Sequence, residues 1–305
     1  MKQCVNCGSD NFSTLYRFLY GGDTYYGGTA RPIHVMACVG CGLIRLEAAT
    51  HGHDAQDIHD FWWEKTWLDT YKAFHARIIK SFDGKLDSLE GKTKGRNILD
   101  IGCGCGFFLA AARARGWKTA GIDISQPAID YANTVLGLSV KHADSSDAGF
   151  ADNAFDVVTM WDVIEHLEDP VAVLAQARRV LKPGGIIVIE TPNAESLFHG
   201  LAGLSYRLSL RTFRYLISRI YIPSHVYYFS RATLGDMLRR CGLEPEAIRH
   251  SRSSLFSDLD ILFAANRSKE VWARNGVFKT LTALMLRLSD GIGRPYRITA
   301  AARKA

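Results

Sequence analysis

Residues 98–108 of this 305-residue chain read ILDIGCGCGFF, and this segment is the most informative about the fold. An apolar run ends at Asp100, and glycines follow at alternate positions, Gly102, Gly104 and Gly106, before a helical segment begins. Glycines let a ligand approach the backbone closely, and the start of the helix offers free N–H groups. A dinucleotide-binding fingerprint would read G-x-G-x-x-G, whereas the third glycine here comes one residue early. The pattern predicts a strand, a ligand-binding loop and a helix.

Apolar β-like runs alternate with helical stretches on both sides of this loop, from Asn97 to Thr191. The runs are NILDI, KTAGIDI, FDVVTMW and GIIVIET. Such alternation is typical of a parallel α/β sheet. The second run brings a carboxylate, Asp123, to a point where it can accept both hydroxyls of a ribose, and Asp144 follows the third.

This succession resembles the class I S-adenosylmethionine-dependent methyltransferases from about Arg96 to Gly242 and again in the last β-like run, Tyr296–Ala302. The resemblance implies a Rossmann-like α/β fold with a seven-stranded sheet, its last strand antiparallel, and S-adenosylmethionine as the cofactor. By this resemblance, Gly102, Gly104 and Gly106 would hold the methionine moiety, and Asp100 would organise their loop. Asp123 would bind the ribose hydroxyls, Asp144 would bind the adenine amino group, and Trp161 would lie beside the cofactor.

The composition is that of an ordinary globular protein, with 47% hydrophobic and 22% charged residues, which excludes disordered and fibrous classes. The formal net charge of +6 is too small to imply a nucleic-acid partner by itself. The first residues lack the apolar segment of a secretory signal, and no apolar run reaches the roughly 18 residues of a membrane span. We therefore expect a cytoplasmic protein with reduced thiols.

Two C-x-x-C pairs near the N-terminus, Cys4 with Cys7 and Cys38 with Cys41, are each followed by glycine. Such turns point two thiolates at one ion, and two of them complete a closed tetrahedral zinc site. Because thiolates fill all four positions, no position remains for a substrate, and we expect structural Zn²⁺. The alternatives are unrelated buried cysteines or a redox pair. The segment resembles a zinc ribbon.

Three further segments, EHLEDP (165–170), TPN (191–193) and HVYYFS (225–230), resemble small-molecule O-methyltransferases. These include the ubiquinone-biosynthesis type and ribbon-bearing enzymes of sugar or glycan modification. The resemblance implies O-methylation of a small-molecule or glycan acceptor, with C- or N-methylation as the alternatives. No N/D-P-P-Y segment occurs, since WDVI stands at 161–164, which disfavours a nucleic-acid acceptor. The alternatives are an RNA methyltransferase whose ribbon contacts RNA and a scaffold that binds S-adenosylmethionine without turnover.

Two histidines are candidate bases for a hydroxyl acceptor, whose proton must leave during methyl transfer. His166 follows the fourth strand near the expected donor methyl, and His225 ends the segment expected to cover the acceptor. Either could instead be a structural histidine bonded to the backbone. Asp162, Glu165 and His166 also resemble the acid-x-x-Glu-His segment with which some ubiquinone-type enzymes hold a divalent ion.

The predicted organisation is a zinc ribbon over 1–50, a helical connector over 51–93 and the methyltransferase domain over 94–305. We expect two insertions in that domain, a lid over about 194–231 and a helical insertion over about 255–293.

The lid segment carries five arginines and no acidic residue between Ser196 and Arg231. Arg207, Arg211 and Arg214 share one face of a predicted helix. That face is either solvated or part of a helical lid that meets an anionic acceptor, such as a phosphate-bearing sugar or a lipid-linked glycan. The amphipathic stretch over 277–288 is predicted to pack on the lid, form a dimer contact or lie on a membrane surface.

Overall fold

The computed structural model describes residues 3–20, 31–48, 76–143, 149–208, 217, 220–222, 224–251 and 276–305. The strands are β1 (Phe12–Tyr20), β2 (Arg31–Cys38), β3 (Ile44–Ala48), β4 (Asn97–Ile101), β5 (Lys118–Asp123), β6 (Val140–His142), β7 (Phe155–Trp161), β8 (Leu181–Pro192), β9 (Tyr227–Tyr228), β10 (Leu243–Ser251) and β11 (Arg297–Lys304). The helices are α1 (Asp83–Glu90), α2 (Phe107–Ala114), α3 (Gln126–Thr134), α4 (Pro170–Val180), α5 (Leu197–Arg207), α6 (Arg231–Arg240) and α7 (Gly276–Gly291).

Seven strands form one sheet in the order β10-β11-β8-β7-β4-β5-β6. Neighbouring strands from β8 to β6 in this order are parallel, whereas β11 is antiparallel to both β8 and β10. The predicted Rossmann-like fold with an antiparallel last strand is therefore confirmed. In such sheets ligands bind beyond the carboxyl ends of the parallel strands, and β4, β5 and β7 end there at or near residues predicted to hold the cofactor.

Helices cover both faces of this sheet because its central strands are apolar on both sides. Ile98 and Val157 belong to a buried cluster with residues of α1, α2 and α3. The alternate residues Leu99 and Val158 belong to a second cluster, with residues of α4 and α6. Helices packed on both faces of the sheet thus hold the central strands, and with them the loops at the carboxyl ends of these strands.

The N-terminal module, residues 3–20 and 31–48, forms a second antiparallel sheet in the order β1-β2-β3-β9. Its fourth strand, β9, comes from the insertion after β8 and pairs with β3 at Ile44–Tyr228 and Arg45–Tyr227. The sequence predicted residues 1–50 as a unit of their own, but the module shares this sheet with the main domain. An edge strand carries N–H and C=O groups that need partners, and β9 supplies them to β3.

The predicted insertions and connector are described in part. In the first insertion α5 ends at Arg207, which is exposed, while Arg211 and Arg214 lie outside the described residues. In the second insertion α7 exposes Leu284 and Leu288 one turn apart, and what covers them stays a prediction. The connector is described from residue 76, with residues 76–81 and α1 helical. Across the described ranges no helix has the length and apolarity needed to cross a membrane.

Candidate active site

The glycine loop between β4 and α2 has a backbone that other residues rarely adopt. Gly102, Gly104 and Gly106 have φ angles of 68°, 52° and 75°, all in the left-handed region. A Cβ on Gly102 would lie 2.5 Å from Val163 Cγ2, and one on Gly106 would lie 2.5 Å from Leu138 Cδ1. The alternate glycines therefore serve both the turn and its close packing, and leave the backbone open towards a ligand.

Asp123, at the end of β5, is buried and braces this loop. Its Oδ2 accepts the backbone N–H of Gly104 at 2.7 Å, and its Oδ1 accepts that of Ser125 at 2.8 Å. Each carboxylate oxygen has a second lone pair, so both can also accept hydroxyl groups of a ligand. The side chain lines the cavity described below, which fits the predicted contact with a ribose.

Asp100, at the end of β4, lies beside the same loop and is fully buried. Thr159 Oγ1 donates to its Oδ1 at 2.7 Å. Burial, together with the nearby charge of Asp123, raises the pKa of Asp100 to about 8, against the opposing effect of the Thr159 hydrogen bond. A cationic ligand here would favour the carboxylate form. The role of Asp100 in organising the glycine loop stays a prediction, since the hydrogen bond of its side chain goes to Thr159 on β7.

Trp161, at the end of β7, forms an aromatic wall with Phe82 and Phe108. Its ring centroid lies 5.2 Å from that of Phe108 and 6.2 Å from that of Phe82. Lys85 Nζ on α1 lies 4.2 Å from the Trp161 ring centroid, which is cation–π distance. The indole Nε1 is buried without a hydrogen-bond partner.

Asp144, the predicted adenine ligand, lies outside the described residues.

These groups line a cavity of about 740 Å³ that runs from the glycine loop across the sheet towards β10 and β11. One end holds Asp100, Gly102 and Asp123, and the other reaches Arg249 and Ser251. The volume lies within the range that small-molecule sites occupy. The cavity therefore has room for an acceptor as well as for a donor.

A buried carboxylate, Glu190 on β8, gathers donors from three directions at the middle of this cavity. Lys85 Nζ donates at 2.8 Å, Ser251 Oγ at 2.9 Å and Thr299 Oγ1 at 3.0 Å, while Arg297 lies at 3.6 Å. Burial alone would raise the pKa of Glu190, but Lys85 and Arg297 outweigh it and hold the pKa at about 2. This network fixes α1 over the sheet.

Asp162, directly after β7, has a positive φ of 56° and pairs with Arg297. Its backbone N–H donates to Glu190 O at 3.0 Å. A left-handed conformation is uncommon for residues other than glycine, although Asp tolerates it better than most. The turn directs the chain into the short 3₁₀ helix Ile164–His166 and so sets the position of His166.

The two predicted histidines lie together, with ring centroids 4.6 Å apart in an edge-to-face arrangement. His166 lines the cavity, and its Nδ1 lies 2.8 Å from the carbonyl oxygen of Ser224. Since a carbonyl only accepts, Nδ1 carries the proton in the neutral ring, and Nε2 is then the unprotonated nitrogen. His225 is buried, and its Nδ1 has no partner. Burial lowers the pKa of His225 well below its ordinary value, and protonation of the neighbouring His166 would lower it further.

Glu165 completes a potential ligand group with these histidines. One atom from each of Glu165, His166 and His225 lies within 4.8 Å of the others. Glu165 accepts from Thr191 Oγ1 at 2.9 Å through Oε2, while its buried Oε1 has no partner. Burial and the charge of Asp162 raise the pKa of Glu165. One carboxylate and two imidazoles form a donor set that fits a divalent cation, and two of the donor atoms, Glu165 Oε1 and His225 Nδ1, are buried without a partner.

The four N-terminal cysteines converge as predicted, with all four sulfurs within 4.8 Å of one another. Cys4 Sγ lies 3.6 Å from Cys41 Sγ, and Cys7 Sγ lies 3.4 Å from Cys38 Sγ. The two turns are alike, because Gly8 N donates to Cys4 O and Gly42 N to Cys38 O, both at 2.8 Å. Zn–S bonds of about 2.3 Å in a tetrahedron place sulfurs about 3.8 Å apart, so the group fits Zn²⁺.

Sequence reasoning missed the residues that join at Glu190. One signal was available, because Glu190 is the single charged residue of the apolar run GIIVIET over 185–191. A charge inside such a strand is rarely buried without a partner. Nothing in the sequence pointed to Lys85 or Arg297 as those partners.

The sheet order, the three-glycine loop and the carboxylate at the end of β5 together define a class I S-adenosylmethionine-dependent methyltransferase. A family model described as a methyltransferase domain matches residues 70–248, more than half of the chain, and the chain belongs to that family. The protein is thus a methyltransferase that uses S-adenosylmethionine, as the sequence predicted.

Curated relatives are similar to this chain in sequence, and solved structures are similar to it in fold. The ubiquinone biosynthesis O-methyltransferase of Thiobacillus denitrificans is 30% identical over 209 residues, which cover 64% of this chain and 85% of the relative. Its counterpart from Bordetella avium is 26% identical over 204 residues, covering 62% and 77%. The crystal structure of a SAM dependent methyltransferase from Archaeoglobus fulgidus has a TM-score of 0.50 at 19% identity, covers 78% of this chain and 99% of that one, and shows the fold.

Proposed function

We propose that this enzyme transfers the methyl group of S-adenosylmethionine to a hydroxyl oxygen of a small-molecule acceptor, with His166 as the base. The similarity to two ubiquinone biosynthesis O-methyltransferases supports an oxygen acceptor. The observation that carries the role of His166 is its hydrogen bond to Ser224 O, which places the proton of the neutral ring on Nδ1 and the basic nitrogen at Nε2 of a residue that lines the cavity.

The donor end of the cavity binds and aligns S-adenosylmethionine. The glycine loop takes the methionine moiety, Asp123 takes the ribose hydroxyls, and Trp161 packs beside the cofactor. In the transfer the acceptor oxygen forms a C–O bond while the methyl–sulfur bond breaks and its electron pair stays on sulfur. The hydroxyl proton passes to His166 Nε2, which neutralises the charge that would otherwise build on the ether oxygen.

The acceptor end of the cavity favours an anionic molecule. Arg249 is exposed and lines the cavity, and no ion pair of Arg249 occurs among the described residues. Guanidinium groups match carboxylate and phosphate geometry. The basic segment that begins at Arg207, the last residue of α5, and includes Arg211 and Arg214 would add charge as a helical lid. A phosphate-bearing sugar or another glycan is within this class of acceptor.

The cysteine group of the N-terminal module is proposed to hold one structural Zn²⁺ through Cys4, Cys7, Cys38 and Cys41. Four sulfurs at tetrahedral spacing support this assignment. The ion would cross-link the ends of β1, β2 and β3 and leave no open coordination position.

A second candidate for the histidine site is a divalent cation held by Glu165, His166 and His225. The unpartnered Glu165 Oε1 and His225 Nδ1 favour it. A cation there would act as a Lewis acid on the acceptor oxygen. The two roles of His166 exclude each other, because a coordinated Nε2 cannot accept the acceptor proton.

The test is label transfer from methyl-labelled S-adenosylmethionine to fractionated metabolites, glycans and RNA. We expect a small-molecule or glycan fraction to take label as an ether or ester, and His166→Gln to lower turnover by about 10²-fold or more without loss of donor binding. Label confined to RNA, or on nitrogen or carbon, overturns the proposed acceptor, and label nowhere favours a scaffold. Turnover that a chelator abolishes and Mg²⁺ or Mn²⁺ restores, with the zinc content unchanged, favours the cation.

A further inference from the structure

One strand of the N-terminal module, β3, reaches the segment beside the active-site histidines through a backbone hydrogen bond. The backbone N–H of Leu46 on β3 donates to the carbonyl oxygen of Val226 at 2.9 Å. This bond extends the β3–β9 pairing by one residue, to the segment that carries Ser224 and His225.

The same short segment holds the 3₁₀ helix of the active site. Val226 N donates to Glu165 O at 2.7 Å, and the next residue, His166, donates from Nδ1 to Ser224 O at 2.8 Å. Hydrogen bonds therefore join Leu46 to Val226 and Val226 to Glu165, and a peptide bond joins Glu165 to His166, whose imidazole bonds Ser224. The path begins in the module and ends on the imidazole.

A buried apolar cluster shared by the module and the main domain supports this path. Val35 on β2 is buried in one cluster with Tyr221 and Tyr228. Tyr228 Oη donates to Ile220 O and accepts from Ile222 N, each at 3.0 Å, so β9 also fixes the residues just before Ser224. The apolar core that this cluster belongs to is made by both parts of the chain.

We propose that β3 is a positioning element for the reaction: by pairing with β9 it holds the Ser224 carbonyl that fixes the tautomer of His166. The N-terminal module then acts on the base and not on the donor, because the glycine loop and Asp123 make no contact with β3 in this path. The proposal rests on the proposed role of His166 as the base.

The test variant is Leu46→Pro, which removes the N–H that reaches Val226. Proline is tolerated on an edge strand when its missing N–H faces away from the neighbour, and without β9 strand β3 is an edge. The matched control is Leu19→Pro on the opposite edge. The backbone N–H of Arg17 on β1 points away from β2 and donates to Tyr206 Oη at 3.4 Å. Because the direction of the N–H groups alternates along a strand with a period of two, the N–H of the exposed Leu19 also points away from β2, so its loss breaks no β1–β2 hydrogen bond.

The primary measurement is the tautomer of His166 by ¹⁵N NMR of the imidazole, which needs no acceptor. We expect one tautomer, protonated at Nδ1, in wild type and Leu19→Pro, and a mixture in Leu46→Pro. Donor affinity and zinc content should match in all three chains. Turnover with the labelled fraction should fall about tenfold or more only in Leu46→Pro.

An unchanged His166 tautomer in a folded Leu46→Pro chain overturns the proposal. If the Leu46→Pro chain loses donor binding, the variant is misfolded, and the proposal is tested instead by amide hydrogen exchange of the wild type. Partial chelation should then lower protection of the Leu46 and Val226 amides together and spare the amides of β5. Loss at Leu46 with Val226 and the tautomer unchanged overturns the proposal. Full turnover of His166→Gln overturns the role of His166 as base instead, and leaves the tautomer measurement valid.

Discussion

The carboxylate of Asp123 is bonded to the glycine loop that it faces: its Oδ2 accepts the Gly104 N–H at 2.7 Å. The residue predicted to bind the ribose therefore also sets the backbone predicted to bind the methionine moiety. Replacing Asp123 should therefore disturb both the predicted ribose contact and the glycine loop.

Asp123→Ala should weaken binding of S-adenosylmethionine by about 2–3 kcal/mol, or about 30- to 150-fold in Kd, because charge-assisted hydrogen bonds to the loop and the ribose are lost. Titration calorimetry measures the change. The matched control is Asp130→Ala, which removes an exposed side chain on α3 that accepts from Gln126 Nε2; this variant should bind the donor normally. Equal affinity in wild type and Asp123→Ala would contradict the assignment.

Binding of S-adenosylmethionine should release a proton from Asp100 near neutral pH. The pKa of about 8 keeps this carboxyl mostly protonated at pH 7, and the positive charge of the donor favours the carboxylate. Affinity should accordingly rise as the pH rises towards 8. Calorimetry in buffers of different ionisation enthalpy counts the protons, and Asp100→Asn serves as the reference because titration of the donor itself is common to both chains. The same proton count in both chains would exclude Asp100 as its source.

Glu190→Gln should destabilise the chain by about 3 kcal/mol, since it leaves Lys85 and Arg297 beside a buried neutral group. The folded pKa of about 2 lies below the ordinary 4.5, so the carboxylate stabilises the fold above about pH 4.5 and this contribution is lost as the pH falls towards 2.

Urea unfolding of both chains from pH 6 to pH 2.5 checks this. Glu246→Gln is the control, because its ion pair with Lys92 is partly solvated and should contribute less than about 1 kcal/mol. A stability difference between wild type and Glu190→Gln that does not shrink with acid would refute the coupling.

Cys38→Ser should strongly weaken binding of one Zn²⁺ per chain, because it removes one of the four thiolate ligands of the proposed site. Elemental analysis of protein purified without chelator measures the metal, and circular dichroism follows the module. Cys241→Ser is the matched control, since Cys241 is a free thiol outside the cluster. Zinc-free wild type, or full zinc in Cys38→Ser, would contradict the site.

The amino-acid sequence by itself determined the features that depend on neighbours along the chain. The alternation of apolar and helical runs predicts the α/β sheet, and the glycines at 102, 104 and 106 predict the loop, because a left-handed backbone excludes side chains locally. The C-x-x-C turns likewise build each half of the cysteine site within four residues.

Only the tertiary structure decided how distant parts meet. The partners of Glu190 come from α1, β10 and β11, and the fourth strand of the N-terminal sheet comes from residues 227–228. The tautomer of His166 depends on Ser224, which lies 58 residues further along the chain. These relationships are set by the closing of loops and by the packing of whole elements, and a hydrogen bond across the fold leaves no periodic trace in the sequence.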